Sequence, residues 1–88
     1  MSFYIITYGP TRIQEIYAGE TKQEAVQNAR EMLIDEWPEY RAMDDEEIIE
    51  VAEAGDAEFD LVEIPEEYPG DDITDAELIA LYNKYWNG

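Results

Sequence analysis

Negative charge is distributed very unevenly along this 88-residue chain, and that distribution constrains any fold that the chain can adopt. Residues 35–77 hold nineteen Asp and Glu residues against a single basic residue, Arg41. Residues 1–34 hold four acidic and three basic residues, so the first part of the chain is nearly neutral. Like charges repel one another within a Debye length of about 8 Å at physiological ionic strength. A fold that gathers these carboxylates in one region therefore carries an electrostatic cost.

Length and composition predict one small domain. With 88 residues, 45% of them hydrophobic, the chain can build one modest core but not two, so we expect residues 1–88 to form a single acidic α+β domain. The sequence shows neither a run of 18 apolar residues nor a recognisable secretory signal. Cysteine is absent, which suits a reducing compartment. We therefore expect a cytoplasmic protein, in the host cytoplasm if a phage encodes it.

Alternating apolar residues predict the strands. Residues 3–8 are β-branched and aromatic, a Gly-Pro pair at 9–10 interrupts the run, and residues 12–18 alternate again, which predicts a β-hairpin. Residues 57–64 alternate with the period of a half-buried strand, which we expect to join the hairpin as a third strand. In that strand the outward side chains would be Glu58 and Asp60, and the inward ones Phe59 and Leu61.

Two capping boxes predict helices over residues 22–36 and 75–86. In each box a threonine is followed three residues later by a glutamate, and apolar residues then recur at helical spacing. The boxes are Thr21 with Glu24 and Thr74 with Glu77. Pro38 ends the first helical run.

Residues 46–54 allow two interpretations. Asp44 and Asp45 suit the start of a short helix and Gly55 suits its end, but residues 47–54 could instead form a strand that turns through Gly55. We favour the helix. The predicted fold class is thus α+β: a small three-stranded antiparallel sheet packed with two helices and a short third one.

The residue inventory argues against catalysis. The chain has no histidine, no cysteine and one serine, Ser2, so a catalytic triad, a thiol enzyme and a histidine-based zinc site are excluded by count. Carboxylate pairs can hydrolyse glycosides, but that reaction needs a cleft that a domain of this size rarely encloses. The five glycines form no phosphate-binding loop. We expect no enzymatic activity and no cofactor.

Four acids have the spacing of calcium ligands, since they fall at positions 1, 3, 5 and 12 of a twelve-residue stretch: Asp56, Glu58, Asp60 and Glu67. An EF-hand requires glycine at position 6, where this chain has Leu61, and Pro65 follows within the same stretch. We therefore predict no metal site and interpret the acids as a solvated strand edge.

The acidic segment instead points to a basic partner. Alternate strand residues lie about 6.6 Å apart and helical neighbours about 5 to 6 Å apart, which is comparable with the spacing of phosphates along DNA. Tyr40 and Tyr68 lie in proline-flanked acidic segments and are candidate interface anchors. The predicted partner-binding residues are Asp44, Asp45, Glu46, Glu47, Glu50, Glu53, Asp56, Glu58, Asp60, Glu66, Glu67, Tyr68, Asp71 and Asp72.

In composition and size the chain resembles the small acidic DNA-mimic inhibitors of phages and mobile elements, which include anti-restriction and anti-CRISPR proteins. That resemblance implies an inhibitor of a basic nucleic-acid-binding protein, such as a nuclease or a CRISPR effector complex. The net charge of −18 repels nucleic acid and anionic membranes, so we expect no direct binding of either. Immunity proteins that neutralise nuclease toxins are similar in the same respects, so a dedicated immunity or regulatory partner is one alternative. A salt-adapted acidic domain of unrelated function is another, although salt adaptation would spread carboxylates over the whole chain.

Overall fold

Three strands form one antiparallel sheet whose central strand is the N-terminal one. In the computed structural model, β1 (Phe3–Thr7) lies between β2 (Ile16–Gly19) and β3 (Asp60–Ile64). Ile5 of β1 lies opposite Ala18 on one side and opposite Val62 on the other. The predicted third strand is therefore confirmed as a strand that joins the hairpin, and β3 forms one edge of the sheet.

The structure describes residues 2–7, 16–70 and 72–85. Several predicted positions lie outside this range: residue 8 of the predicted first strand, the Gly-Pro pair between the two strands of the predicted hairpin, residues 12–15 of its second strand, and residue 86 of the predicted C-terminal helix.

Three α-helices follow the predictions closely. Helix α1 (Lys22–Glu36) begins at Thr21, whose hydroxyl accepts a hydrogen bond from the Glu24 N–H at 3.1 Å. A 3₁₀ helix (Pro38–Ala42) follows it, with proline in its first turn. Helix α2 (Asp45–Glu53) confirms the helical interpretation of that segment, and helix α3 (Asp75–Tyr85) follows the second capping box.

Helices cover both faces of the sheet. Helices α1 and α2 lie on the face that carries Tyr4 and Ile6, while α3 lies on the opposite face, against Phe3 and Ile5. The first cluster of buried side chains consists of Ile6, Ala25, Val26, Ala29, Met32, Leu33, Tyr40, Ile48 and Phe59. The second consists of Phe3, Ile5, Ile16, Val62, Ile64, Leu78 and Tyr82. The sheet is thus buried on both faces rather than on one.

The third strand is shorter than the sequence predicted. It begins at Asp60 rather than at residue 57, because residues 57–59 form bends that return the chain from α2 to the sheet. Phe59 fixes this return, since it is buried with its ring 5.9 Å from that of Tyr40 in an edge-to-face arrangement. Asp56 and Glu58 therefore precede the strand and do not lie on it.

Candidate partner-binding surface

Helix α2 carries the densest group of carboxylates, and both of its ends are capped. The Asp44 side chain accepts from the Glu47 N–H at 2.9 Å, and the Glu47 carboxylate accepts from the Asp44 N–H at 3.4 Å. At the other end Gly55 adopts a φ of 79°, and the Asp56 N–H donates to the Val51 carbonyl at 3.0 Å. This left-handed glycine closes the helix. The caps hold the acidic segment in one defined conformation.

Three glutamates of α2 form a row along the helix. Glu46, Glu50 and Glu53 are separated by four and three residues, and all three side chains are exposed. Helical neighbours at these spacings have Cβ atoms about 5 to 6 Å apart. Acids in the first turn interact favourably with the helix dipole, whereas Glu53 lies in the last turn, where the interaction is unfavourable.

Two basic residues of α1 hold α2 in place. Lys22 forms an ion pair with Glu53, and the Arg30 guanidinium lies 3.0 Å from the Asp45 carboxylate. Arg30 also donates to the Met43 carbonyl at 2.6 Å. The hydrogen bond to Glu53 raises the pKa of Lys22 above its ordinary value. Asp45 and Glu53 are therefore engaged within the chain, whereas no ion pair involves Glu46 or Glu50 among the described residues.

Negative charge continues from α2 onto the β3 edge of the sheet. Glu63 lies opposite Tyr4 in the sheet, is exposed, and its charge contributes to the raised pKa of Lys22. A cleft of about 490 Å³ opens beside Tyr4 and Lys22, with Glu46 of α2 on its wall. Sequence reasoning missed Glu63, although its position between the buried Val62 and Ile64 marks it as the outward residue of an alternating run.

The bend after α2 carries two more predicted residues. Asp56 and Glu58 are exposed and line a cleft of about 210 Å³ together with Glu39, which the sequence analysis did not select. Tyr40 lies in the same cleft but is only 5% exposed, packed against Phe59. Burial raises the pKa of Tyr40 above its ordinary value. The prediction of Tyr40 as an exposed anchor is therefore wrong, because the 3₁₀ helix turns its ring into the core.

Asp60 does not belong to an outward row of strand carboxylates. Its side chain is half-buried and accepts a hydrogen bond from the Tyr82 hydroxyl of α3 at 3.0 Å. The predicted strand row of Asp56, Glu58 and Asp60 is wrong for two reasons. The first two residues precede β3, and helix α3 covers the face to which Asp60 belongs.

The Tyr82 to Asp60 contact leads to a pH prediction. Burial, followed by the hydrogen bond to Asp60, raises the pKa of Tyr82 well above its ordinary value near 10. The unfolded chain then loses this proton at lower pH than the folded chain does, so stability is fully present below about pH 10 and declines above it. We expect Tyr82→Phe to make the decline in unfolding free energy between about pH 10 and 11 shallower, by up to about 1.4 kcal/mol per pH unit. Denaturant titrations at each pH measure both slopes, and equal slopes would contradict this assignment.

The remaining predicted residues follow β3, in the layer that contains α3. The Glu66 carboxylate accepts a hydrogen bond from the Tyr85 hydroxyl and lies 3.7 Å from the Lys84 ammonium. Tyr68 is half-buried, with its ring 5.5 Å from that of Phe3. Glu67 and Asp72 are exposed. Asp71 lies outside the described residues.

The predicted residues thus fall into two groups separated by the sheet. Residues 44–58 belong to the layer of α1 and α2. Glu66, Glu67, Tyr68 and Asp72 belong to the layer of α3, and the Asp60 side chain faces that layer from β3. Eighteen of the 21 described carboxylates are exposed, and the three half-buried ones, Asp45, Asp60 and Glu66, each accept a hydrogen bond from a basic or tyrosine side chain. This pattern leaves most of the acidic charge facing water.

The described residues contain no group of three or more side chains able to hold a metal ion. Within the same residues, no helix combines the length and apolarity needed to cross a membrane. The titratable side chains that the structure describes in the two acidic groups are mostly carboxylates, and the chemistry they offer is attraction of cations.

Comparisons with protein-family models, with curated proteins and with solved structures gave no match to this chain.

Proposed function

We propose that this chain is a protein inhibitor that presents carboxylates in place of nucleic-acid phosphates and occupies the basic channel of a nucleic-acid-binding protein. A phage-type anti-CRISPR or anti-restriction protein would act in this way. The observation that carries the proposal is the row on α2, because its glutamates are exposed and lie at helical spacing on a helix capped at both ends, and two of them, Glu46 and Glu50, form no ion pair among the described residues. The capped helix orders the backbone of the row before a partner binds, so the conformational entropy lost on binding is confined to the glutamate side chains.

The electrostatics of the described residues support the same proposal. Among the described residues, three carboxylates form ion pairs: Asp45, Glu53 and Glu66. Within the same residues, four predicted carboxylates form none: Glu46, Glu50, Asp56 and Glu58. Such charges raise the rate of encounter with a basic protein and penalise acidic ones. Chains adapted to high salt would carry comparable charge in residues 1–34, which are nearly neutral.

Direct competition with DNA tests the proposal. The chain is immobilised at low salt and offered a panel of purified basic nucleases and CRISPR effector complexes, and a short duplex DNA is then titrated into each complex that forms. We expect the DNA to displace the bound protein, and we expect the affinity to fall steeply as salt rises. A complex that binds DNA and this chain at the same time would contradict mimicry, as would failure of every member of the panel to bind.

A further inference from the structure

An apolar groove lies beside α3, on the opposite side of the sheet from α2. Its volume is about 370 Å³. The fully buried ring of Phe3 lies at its base, and the half-buried side chains of Ile73 and Leu81 line it. Pro69 and Ala80, both exposed, complete the apolar lining. Apolar walls of this kind gain free energy when another apolar group displaces water from them.

Carboxylates surround this apolar lining. Glu66, Glu67 and Glu77 lie at the groove. Glu66 binds Tyr85 and Lys84, and Glu77 accepts hydrogen bonds from Thr74, so these two are held in position. Residues 63–77 hold seven acids and neither lysine nor arginine.

We infer that the groove receives a short basic and apolar segment of the partner, in which a leucine-like side chain contacts the apolar lining and an arginine meets the carboxylates. Charge complementarity selects this occupant: a second copy of the chain would bring its own net charge of −18 to an acidic rim. The inference rests on the proposed function in one respect, namely that the partner is basic. It adds a second contact surface, with a chemistry different from that of the α2 row.

Arginine suits this rim for geometric reasons. Its planar guanidinium donates to carboxylates in pairs, and its aliphatic stem packs on apolar surface while the charged end remains near water. Glu67, which is exposed, offers acceptors at the groove, and the contacts of Glu66 with Tyr85 and Lys84 both use one carboxylate oxygen, Oε2. The groove therefore distinguishes a segment that is both basic and apolar from one that is only basic. The row of carboxylates on α2 does not make this distinction.

Three blocked peptides separate these contributions: acetyl-Gly-Leu-Arg-Leu-Arg-Gly-amide, its analogue with both leucines replaced by serine, and its analogue with both arginines replaced by serine. Each is titrated into the isotopically labelled full chain and followed by NMR. We expect the first peptide to bind at least about tenfold more tightly than either analogue and to shift the signals of Ile73, Ala80 and Leu81.

A matched pair of variants locates the binding. Ala80→Phe fills the groove from an exposed position of α3, whereas Ala76→Phe places the same side chain at an exposed position of α3 that does not line the groove. We expect Ala80→Phe to weaken the first peptide about tenfold and Ala76→Phe to change its affinity by less than about twofold. Circular dichroism of both variants verifies that they remain folded. A third variant, Glu67→Gln, leaves the apolar lining intact and removes one carboxylate charge. We expect it, like Ala80→Phe, to weaken binding of the first peptide.

Three outcomes would overturn the inference. The first is equal binding by Ala80→Phe and the wild-type chain. The second is equal binding of the peptide without arginine, which would make the occupant a neutral apolar segment. The third is a shift of the NMR signals of the groove residues that depends on protein concentration in the absence of peptide, which would show that the occupant is a second copy of the chain. None of these outcomes bears on the DNA competition, so the groove and the proposed mimicry fail separately.

Discussion

Gly19→Ala is expected to lower the unfolding free energy by about 3 kcal/mol, because no space exists for even one methyl group at this position. A Cβ atom on Gly19 would lie 2.3 Å from the Ala25 nitrogen and 2.6 Å from the Glu24 carbonyl carbon. Both are backbone atoms of α1, so rotation of a side chain cannot relieve the clash. Either α1 must move away from β2 or the strand must shift, and both movements disturb the first buried cluster. Urea unfolding followed by circular dichroism measures the change.

Gly55→Ala is the matched control for that variant. Gly55 has a φ of 79°, a left-handed conformation that is unfavourable for alanine. A Cβ atom added there would meet nothing within 4 Å, so the substitution introduces backbone strain but no clash. We expect a loss of about 1 kcal/mol. Small domains have unfolding free energies of about 5 to 15 kcal/mol, so the difference between the two variants is readily measured. A Gly19→Ala chain as stable as the Gly55→Ala chain would contradict the close approach of β2 to α1.

Local patterns predicted the elements of the fold because the determinants of those elements are local. The capping box of Thr74 and Glu77 forms with both reciprocal hydrogen bonds, at 3.3 Å and 3.2 Å. Gly55 ends α2 as its position after the apolar run indicated. Each of these signals depends on residues within a few positions of one another, and the sequence displays them directly.

Burial depends on distant contacts, and there the sequence was less informative. Tyr40 follows a proline in an acidic segment and looks exposed, but a 3₁₀ helix places it against Phe59, nineteen residues further along the chain. Asp60 fits an outward position of an alternating strand, but α3 covers that face and Tyr82 binds the carboxylate. Nothing in the alternation of residues 57–64 indicates that a later helix will cover the second face of the sheet.

In the candidate site, too, the features set by local spacing were predicted from the sequence and those set by distant contacts were not. Helical spacing predicted the row of Glu46, Glu50 and Glu53, because three- and four-residue separations place side chains near one another on any helix. The ion pairs of α2 with Lys22 and Arg30 were not predicted, since they depend on the packing of α1 against α2. These pairs determine which carboxylates are engaged within the chain and which remain for a partner.

Glu46→Gln combined with Glu50→Gln is expected to weaken binding to the target identified by DNA competition about thirtyfold, which corresponds to roughly 1 kcal/mol for each carboxylate. Both side chains are exposed, and neither forms an ion pair among the described residues. The substitutions should therefore change the unfolding free energy by less than about 0.5 kcal/mol. Isothermal titration calorimetry at physiological ionic strength measures the affinity.

The most direct test of the account compares that variant with one of equal charge. Glu24→Gln combined with Glu31→Gln removes two exposed glutamates from α1, so both variants carry the same net charge. If the carboxylates of α2 form the surface that replaces phosphates, the affinity of the α2 variant falls about thirtyfold and that of the α1 variant stays within about threefold of wild type. Equal losses in the two variants would show that total charge rather than its position governs binding, and would contradict the account.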